Sequence, residues 1–124
     1  VWMLLQESTS IATYIQSLQK LKNLSAQYDA IVAAHVPDLL PNEMIDRLIH
    51  CAENIAPENS VPFEPPFDDI EKGLMYFEGL DALKESLNLE TLDLATQPFH
   101  MLNLEGVNFA EVPFVSITYN ESKL

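Results

Sequence analysis

The fold class is indicated by one stretch of the chain, "SIATYIQSLQKLKNLSAQYDAIVAAHVPDLLPNEMIDRLIHCAENI" (residues 10–55). Apolar residues recur at steps of three and four over residues 11–24, which is the spacing of an amphipathic helix. Residues 30–34 form a short apolar run with a β-branched centre and predict a buried strand. Helical spacing returns over residues 41–55, where Pro41 suits the first turn of a helix. Helix, strand and helix in this order predict an α/β fold.

The second half of the chain predicts further strands and one short helix. Residues 56–67 hold four of the eight prolines, so we expect a Pro-rich extended connector without a regular ladder. Strands are predicted at residues 73–79, 99–104 and 112–119, with a short helix between the first two of them. A chain of 124 residues is long enough for one domain and short for two. We therefore expect a single domain over residues 1–124.

Composition limits the classes of partner. Hydrophobic residues make up 48% of the chain and the formal net charge is -13, which predicts a folded protein with a strongly acidic surface. Such a surface repels phosphate groups and anionic lipid, so no nucleic-acid and no membrane partner is expected. No apolar run approaches the roughly 18 residues that span a bilayer. The single cysteine, Cys51, suits a reducing compartment and predicts a buried structural thiol. We expect a cytoplasmic protein.

One set of residues carries a resemblance to a known family. The matching positions lie in the first predicted helix and in the apolar run after it: Tyr14, Ser17, Leu18, Lys20, Leu21, residues 28–32 and His35. With them, residues 7–55 resemble the C-terminal half of metallo-β-lactamase-fold hydrolases, where a helix precedes a short strand that ends in a histidine. A Pro-rich turn and a second helix follow that histidine in the family. The terminal segment "VSITYNESKL" is similar to the family's last strand, at Tyr119, Asn120, Lys123 and Leu124.

The resemblance implies a fold, a cofactor and one site residue. The family folds as a four-layer αβ/βα sandwich with a two-metal site, commonly zinc, so this chain is expected to form half of such a sandwich. His35 matches the family's final metal ligand, and a metal-bound hydroxide would attack an acyl or phosphoryl centre. The other ligands and the catalytic groups are expected in a missing N-terminal half. The chain is therefore expected to be the C-terminal part of a longer metallohydrolase, inactive and without bound metal by itself.

A second interpretation involves no catalysis. Spacing alone leaves His35 as a histidine at a loop or strand end, since most histidines coordinate nothing. The chain then reads as a small acidic α/β interaction protein that binds through a sheet edge or through the aromatic segment after Gly73. Both interpretations predict an apolar sheet face that needs a cover. We expect the cover to be the missing half, a second copy in a dimer, or the later segments of the chain.

The remaining histidines and serines are expected to have structural roles. His50 lies beside Cys51, but neighbouring helical residues do not face each other. His100 has no acidic or cysteine partner at ligand spacing. Ser8 and Ser10 lack the glycines that surround a nucleophilic serine, and we expect either of them, or Thr9, to cap the first helix.

The acidic and aromatic groups of the second half are also expected to be structural. Asp68, Asp69 and Glu71 lack the spacing of a calcium loop, which predicts a solvated surface. Five aromatic residues have no basic residues between them, and we expect them in the core: Tyr76, Phe77, Phe99, Phe109 and Phe114. Trp2 is expected to anchor the start of the chain against the first helix.

Overall fold

The fold is described from a computed structural model, which covers residues 1–34, 36 and 38–124. Within these residues the protein is a mixed α/β fold with three α-helices and one four-stranded sheet. The strands are β1 (Trp2–Met3), β2 (Val61–Phe63), β3 (Gly73–Glu78) and β4 (Val115–Tyr119). The helices are α1 (Ile11–Asn23), α2 (Glu43–Glu53) and α3 (Leu80–Ser86). Short 3-10 turns occur at Ser25–Gln27, Pro57–Asn59, Phe99–Met101 and Glu121–Lys123.

The sheet has the strand order β1-β4-β3-β2. The short edge strand β1 runs parallel to β4, with Met3 opposite Tyr119. The other pairs are antiparallel, and the β3–β4 ladder extends to the pair of Glu78 and Val115. Val115, Ile117 and Tyr119 all face the core, as the apolar alternation of this segment predicts.

Two helices cover one face of the sheet. Ser10 is the N-cap of α1, and its Oγ accepts a hydrogen bond from the Thr13 amide at 3.2 Å, so the predicted cap is confirmed. Both predicted helices are present, and they bury their apolar stripes against each other and against β4. The buried residues on this side are Met3, Ile11, Leu40, Met44, Cys51, Ala52, Val115, Ile117 and Tyr119. The predicted stripe of α1 is too long, because Leu21 and Leu24 lie beyond the packed part and are each 45% exposed.

The opposite face of the sheet is covered by the later part of the chain. Leu83 of α3 is fully buried there, and the segment that follows contributes more apolar side chains. The buried residues on this side are Leu4, Phe63, Met75, Leu83, Leu92, Leu94, Val107, Val112 and Phe114. The chain's own later segments, which are one of the three predicted covers, lie on this face.

The predicted strand at residues 30–34 is wrong. Ile31 forms only an isolated antiparallel bridge with Leu40, and the chain has turned by Ala34. Val32 is 83% exposed, whereas Ile31 packs against the helical core. An apolar run in sequence resembles a buried strand, but this run touches the core on one side only.

Three other expectations about the strands need correction. The connector at residues 56–67 contains the strand β2. Pro62 is tolerated in it because β2 lies at the edge of the sheet, where the amide hydrogen that proline lacks is not needed. The predicted strand at residues 99–104 is instead a 3-10 turn at Phe99–Met101, followed by a turn in which Asn103 Oδ1 accepts from the Glu105 amide. Trp2 belongs to β1, and its ring packs against Phe63 with centroids 5.3 Å apart, not against α1.

Candidate functional site

The segment between α1 and α2 forms a loop with a closed base, called here the 31–40 loop. The Ile31 and Leu40 backbones exchange two hydrogen bonds, each 2.9 Å long. Just outside this bridge, Asn42 Nδ2 donates to the carbonyls of Tyr28 at 2.9 Å and Ser25 at 3.3 Å. The Tyr28 hydroxyl donates to the Leu21 carbonyl at 2.7 Å. Both ends of the loop are therefore fastened to the helices beside it.

The base of the 31–40 loop has one inner and one outer side. Ile31 and Leu40 turn into the helical core, where Leu40 is only 6% exposed. Successive residues of extended chain point to opposite sides, so Val32 and Leu39 turn outward. They are 83% and 65% exposed. Two large apolar side chains, one from each side of the loop base, are thus exposed to solvent.

The candidate metal ligand His35 belongs to the 31–40 loop in sequence but lies outside the described residues. In the rest of the chain, no three residues of the types His, Cys, Asp and Glu are grouped as a metal site requires. Stable zinc sites have three or four protein ligands. The described residues therefore do not fit a complete zinc site.

His50 forms a surface pair with Glu78. Its Nδ1 lies 2.8 and 2.9 Å from the two carboxylate oxygens, and the His50 side chain is 68% exposed. The neighbouring Cys51 is fully buried, so the two residues diverge as expected. The pair joins α2 to the end of β3, but exposed ion pairs contribute at most about 1 kcal/mol. Spacing could not reveal Glu78 as the partner, because it lies 28 residues away.

The side chain of Cys51 is fully buried. Burial, and secondly the negative charge of Glu78, raise the pKa of its thiol to about 12. The thiolate is the reactive form of cysteine, so burial and the raised pKa both lower the reactivity of this thiol at neutral pH. The prediction of a buried structural thiol is confirmed.

The aromatic residues of the second half mostly pack on one another. Phe114 stacks on Phe99 with centroids 5.2 Å apart and on Phe77 at 6.3 Å, while Phe99 meets Phe109 at 6.4 Å. Core packing of these four rings is therefore confirmed. His100 is exposed, with its ring edge-on to Phe63 at 5.9 Å, which agrees with the expected structural role.

A polar cleft of about 470 Å³ lies where β1 and β4 end. Its lining comes from three distant segments: Leu4, Leu5, Gln6, Asp69, Ile70, Glu71, Asn120, Ser122 and Lys123. Asn120 Nδ2 donates to Glu71 Oε2 at 3.3 Å. Lys123 Nζ donates to the carbonyls of Gln6 at 2.9 Å and Ser8 at 2.8 Å. The Lys123 bonds fasten the turn after β4 to the segment after β1, and the Asn120 bond joins the same turn to the segment before β3.

Two residues of the acidic group at 68–71 also belong to the lining of the cleft. Asp68, Asp69 and Glu71 are exposed, as predicted, but Asp69 and Glu71 also line the cleft. The sequence did not point to Gln6, Asn120 or Ser122 as their neighbours. Only the parallel pairing of β1 with β4 brings residues more than 100 positions apart to the same end of the sheet.

The comparisons with known proteins give no relative. No family model matches the sequence, and no similar chain is found among curated proteins or among solved structures. In the ranges that the structure describes, no helix is both long and apolar enough to cross a membrane.

Proposed function

We propose that this chain is the C-terminal part of a metal-dependent hydrolase with the metallo-β-lactamase fold. His35 supplies one ligand of a zinc-type site, and an N-terminal half supplies the other ligands and the catalytic groups. In this proposal α1, α2 and the four-stranded sheet are one αβ half of the four-layer sandwich, and residues 80–112, which cover the other sheet face, move aside where the second half docks. Substrate choice then belongs to loops outside this chain.

The closed base of the 31–40 loop is the observation that carries this proposal. A metal ligand must be held close to its working position by its supporting residues. The Ile31–Leu40 bridge and the Asn42 amide hold both ends of the segment that contains His35. Further support comes from the sequence resemblance, whose helix positions include Leu18, a residue of α1 that is only 4% exposed.

The test is the zinc content of the full-length product of the gene, with and without His35. We expect His35→Ala to lower both the bound zinc and the rate of hydrolysis of a general thioester or lactone substrate. His100→Ala is the matched control, because it removes an exposed histidine distant from the 31–40 loop in sequence. A His35→Ala protein with unchanged zinc and unchanged rate would overturn the proposal.

The exposure of Val32 and Leu39 favours a second candidate function, an interaction protein without catalysis. We propose a second copy of the chain as the partner, because a pair of outward apolar side chains is complementary to the same pair related by a twofold axis. The net charge of -13 on each copy opposes association. Dimerisation should therefore strengthen as salt screens the repulsion.

Light scattering on the eluting protein tests this candidate. We expect a dimer at moderate salt that is lost in the double variant Val32→Ser, Leu39→Ser. Met101→Ser is the control, since Met101 is 71% exposed and belongs to a different segment. A strict monomer at every salt concentration, or a dimer that the double variant retains, rules out this function for the loop.

A further inference from the structure

Residues 90–112, called here the strap, connect α3 to β4 across the second face of the sheet. The strap contains one 3-10 turn and no strand or α-helix. Its side chains nevertheless complete the core on that face. The buried ones are Leu92, Leu94, Val107 and Val112, and the partly buried ones that pack with them include Phe99, Leu102, Leu104 and Phe109.

Hydrogen bonds do not fasten the strap to the rest of the described structure. Every hydrogen bond that residues 90–112 make there joins residues at most four positions apart, such as the Val112 amide to the Asn108 carbonyl at 3.1 Å. The ion pairs found in the described residues also lie outside the strap. Apolar contact alone therefore attaches it to the sheet. Segments attached in this way open more readily than segments with cross-strand bonds.

The charge of the strap has one sign. Its four ionised side chains, Glu90, Asp93, Glu105 and Glu111, are all exposed carboxylates, and it contains no lysine or arginine. The rest of the chain is also acidic, with a net charge of -13 for the whole protein. The field of the protein therefore pushes the strap outward, and added salt weakens that push.

The chain between β3 and β4, which contains α3 and the strap, leaves the sheet and returns to it at neighbouring positions. Glu78 ends β3 and Val115 begins β4, and these two residues are directly paired. Gly79 lies so close to Pro113 that a Cβ on the glycine would be 2.3 Å from the Pro113 carbonyl oxygen. The strap can thus lift away without breaking a rung of the β3–β4 ladder.

From these observations we infer that the strap opens as a unit while the sheet, α1 and α2 stay folded. Opening uncovers an aromatic-rich sheet face that includes Phe63, Met75, Phe77 and Phe114. Low ionic strength favours the open state, and physiological salt favours the closed one. This inference does not rest on His35 or on a metal, so it holds or fails independently of the proposed function.

Hydrogen exchange followed by mass spectrometry tests the inference on the whole chain. At an ionic strength of about 0.01 M, where the Debye length is about 30 Å, strap amides should exchange together and faster than those of β4 and α2. At about 0.15 M, where it is about 8 Å, strap exchange should slow while β4 exchange changes little. Strap amides that exchange only in step with β4, or at a rate that salt does not alter, would overturn the inference.

Variants separate the two causes of opening. Leu94 is 3% exposed, and Leu94→Ala should raise strap exchange by about tenfold or more, because truncation of a buried leucine removes much apolar contact.

Neutralising the acidic side chains of the strap should abolish the salt dependence of strap exchange. The changes are Glu90→Gln, Asp93→Asn, Glu105→Gln and Glu111→Gln. A control of equal charge change uses exposed acids elsewhere, namely Glu7→Gln, Asp29→Asn, Glu43→Gln and Glu53→Gln. If the control removes the salt dependence equally well, the strap's own charges are not the cause and the inference fails.

Discussion

Burial of Cys51 links its thiol to the stability of the fold at alkaline pH. The folded-state pKa of Cys51 rises from its ordinary value of 9.0 to about 12, and that of Tyr14 rises from 10.0 to about 12. Burial is the main cause for both. A raised folded-state pKa means that the folded protein holds its proton more tightly than the unfolded chain does. The contribution to stability is therefore complete below pH 9 and is lost as the pH rises toward 12.

We predict that the free energy of unfolding falls between about pH 9 and pH 11. Urea unfolding at successive pH values measures this, and a Cys51→Ala variant should show a shallower decline that begins nearer pH 10. Reaction with a thiol reagent at neutral pH gives an independent reading, since the native thiol should react only as fast as the chain unfolds. Rapid labelling of the native protein would contradict the burial of this side chain.

The hydroxyl groups of Ser60 and Tyr119 form a hydrogen bond whose donor can be deduced. Ser60 Oγ donates to the Ala56 carbonyl at 2.8 Å, and it lies 2.8 Å from the Tyr119 hydroxyl. The serine has one hydroxyl hydrogen, so the Tyr119 hydroxyl must donate to Ser60 Oγ. The contact ties the Pro-rich connector to the central strand β4.

This direction predicts unequal costs for two conservative variants. Tyr119→Phe removes one donor and leaves Ser60 bonded to Ala56, which should cost about 1 kcal/mol. Ser60→Ala leaves the hydroxyl of a fully buried tyrosine without its acceptor, which should cost about 1–3 kcal/mol. Chemical denaturation of both variants compares them directly. A larger loss for Tyr119→Phe would show that the direction deduced here is wrong.

The turn between β3 and α3 depends on the absence of a side chain. Gly79 has a φ of 82°, and a Cβ there would collide with the backbone of Pro113. Gly106 has almost the same φ, 81°, but open space around it. The two positions therefore separate backbone strain from collision.

We predict that Gly106→Ala costs about 1 kcal/mol, since it meets backbone strain alone. Gly79→Ala should cost clearly more, because a carbonyl in the β3–β4 connection cannot move aside cheaply. Thermal unfolding of both variants provides the comparison. Equal costs would mean that the contact between Gly79 and Pro113 does not constrain this connection.

The base of the 31–40 loop gives a prediction about how α2 begins. Asn42 precedes α2, yet its side chain makes no capping bond and instead holds the carbonyls of Ser25 and Tyr28. Asn42→Asp should therefore destabilise the protein, because it sets a carboxylate oxygen against two carbonyl oxygens. We expect a loss of about 1–3 kcal/mol and faster hydrogen exchange in residues 31–40. If capping of α2 contributed more than the two bonds from the Asn42 amide, Asn42→Asp would leave the stability unchanged or raise it.

The sequence predicts those parts of this molecule that depend on neighbours along the chain. The helices α1 and α2, the strands β3 and β4, and the cap at Ser10 follow from local periodicity and turn chemistry. The run at residues 30–34 has the composition of a buried strand, but apolar character does not tell which side of a segment meets the core. The edge strand at Pro62 does not follow from the sequence, since proline normally marks the absence of a strand.

The candidate sites depend on contacts that sequence spacing does not encode. The 470 Å³ cleft joins Gln6, Glu71 and Asn120 from three separate segments. The pair of His50 and Glu78 needs the crossing of α2 over β3. The metal proposal is different in kind, because it rests on a resemblance in sequence and on the bridge between Ile31 and Leu40. The zinc measurement on the full-length protein is therefore its decisive test.

The strand order also has a consequence for the time course of folding. β4 is the latest of the strands in the chain, yet it lies inside the sheet between β1 and β3. Trp2 pairs with Thr118, a contact that closes a loop of more than 100 residues. During synthesis, β1, α1 and α2 therefore leave the ribosome long before the strand that joins them to β3. The part of the helical surface that packs on β4 stays uncovered until residues 115–119 emerge, so release of β4 sets the earliest moment at which the domain can complete its fold.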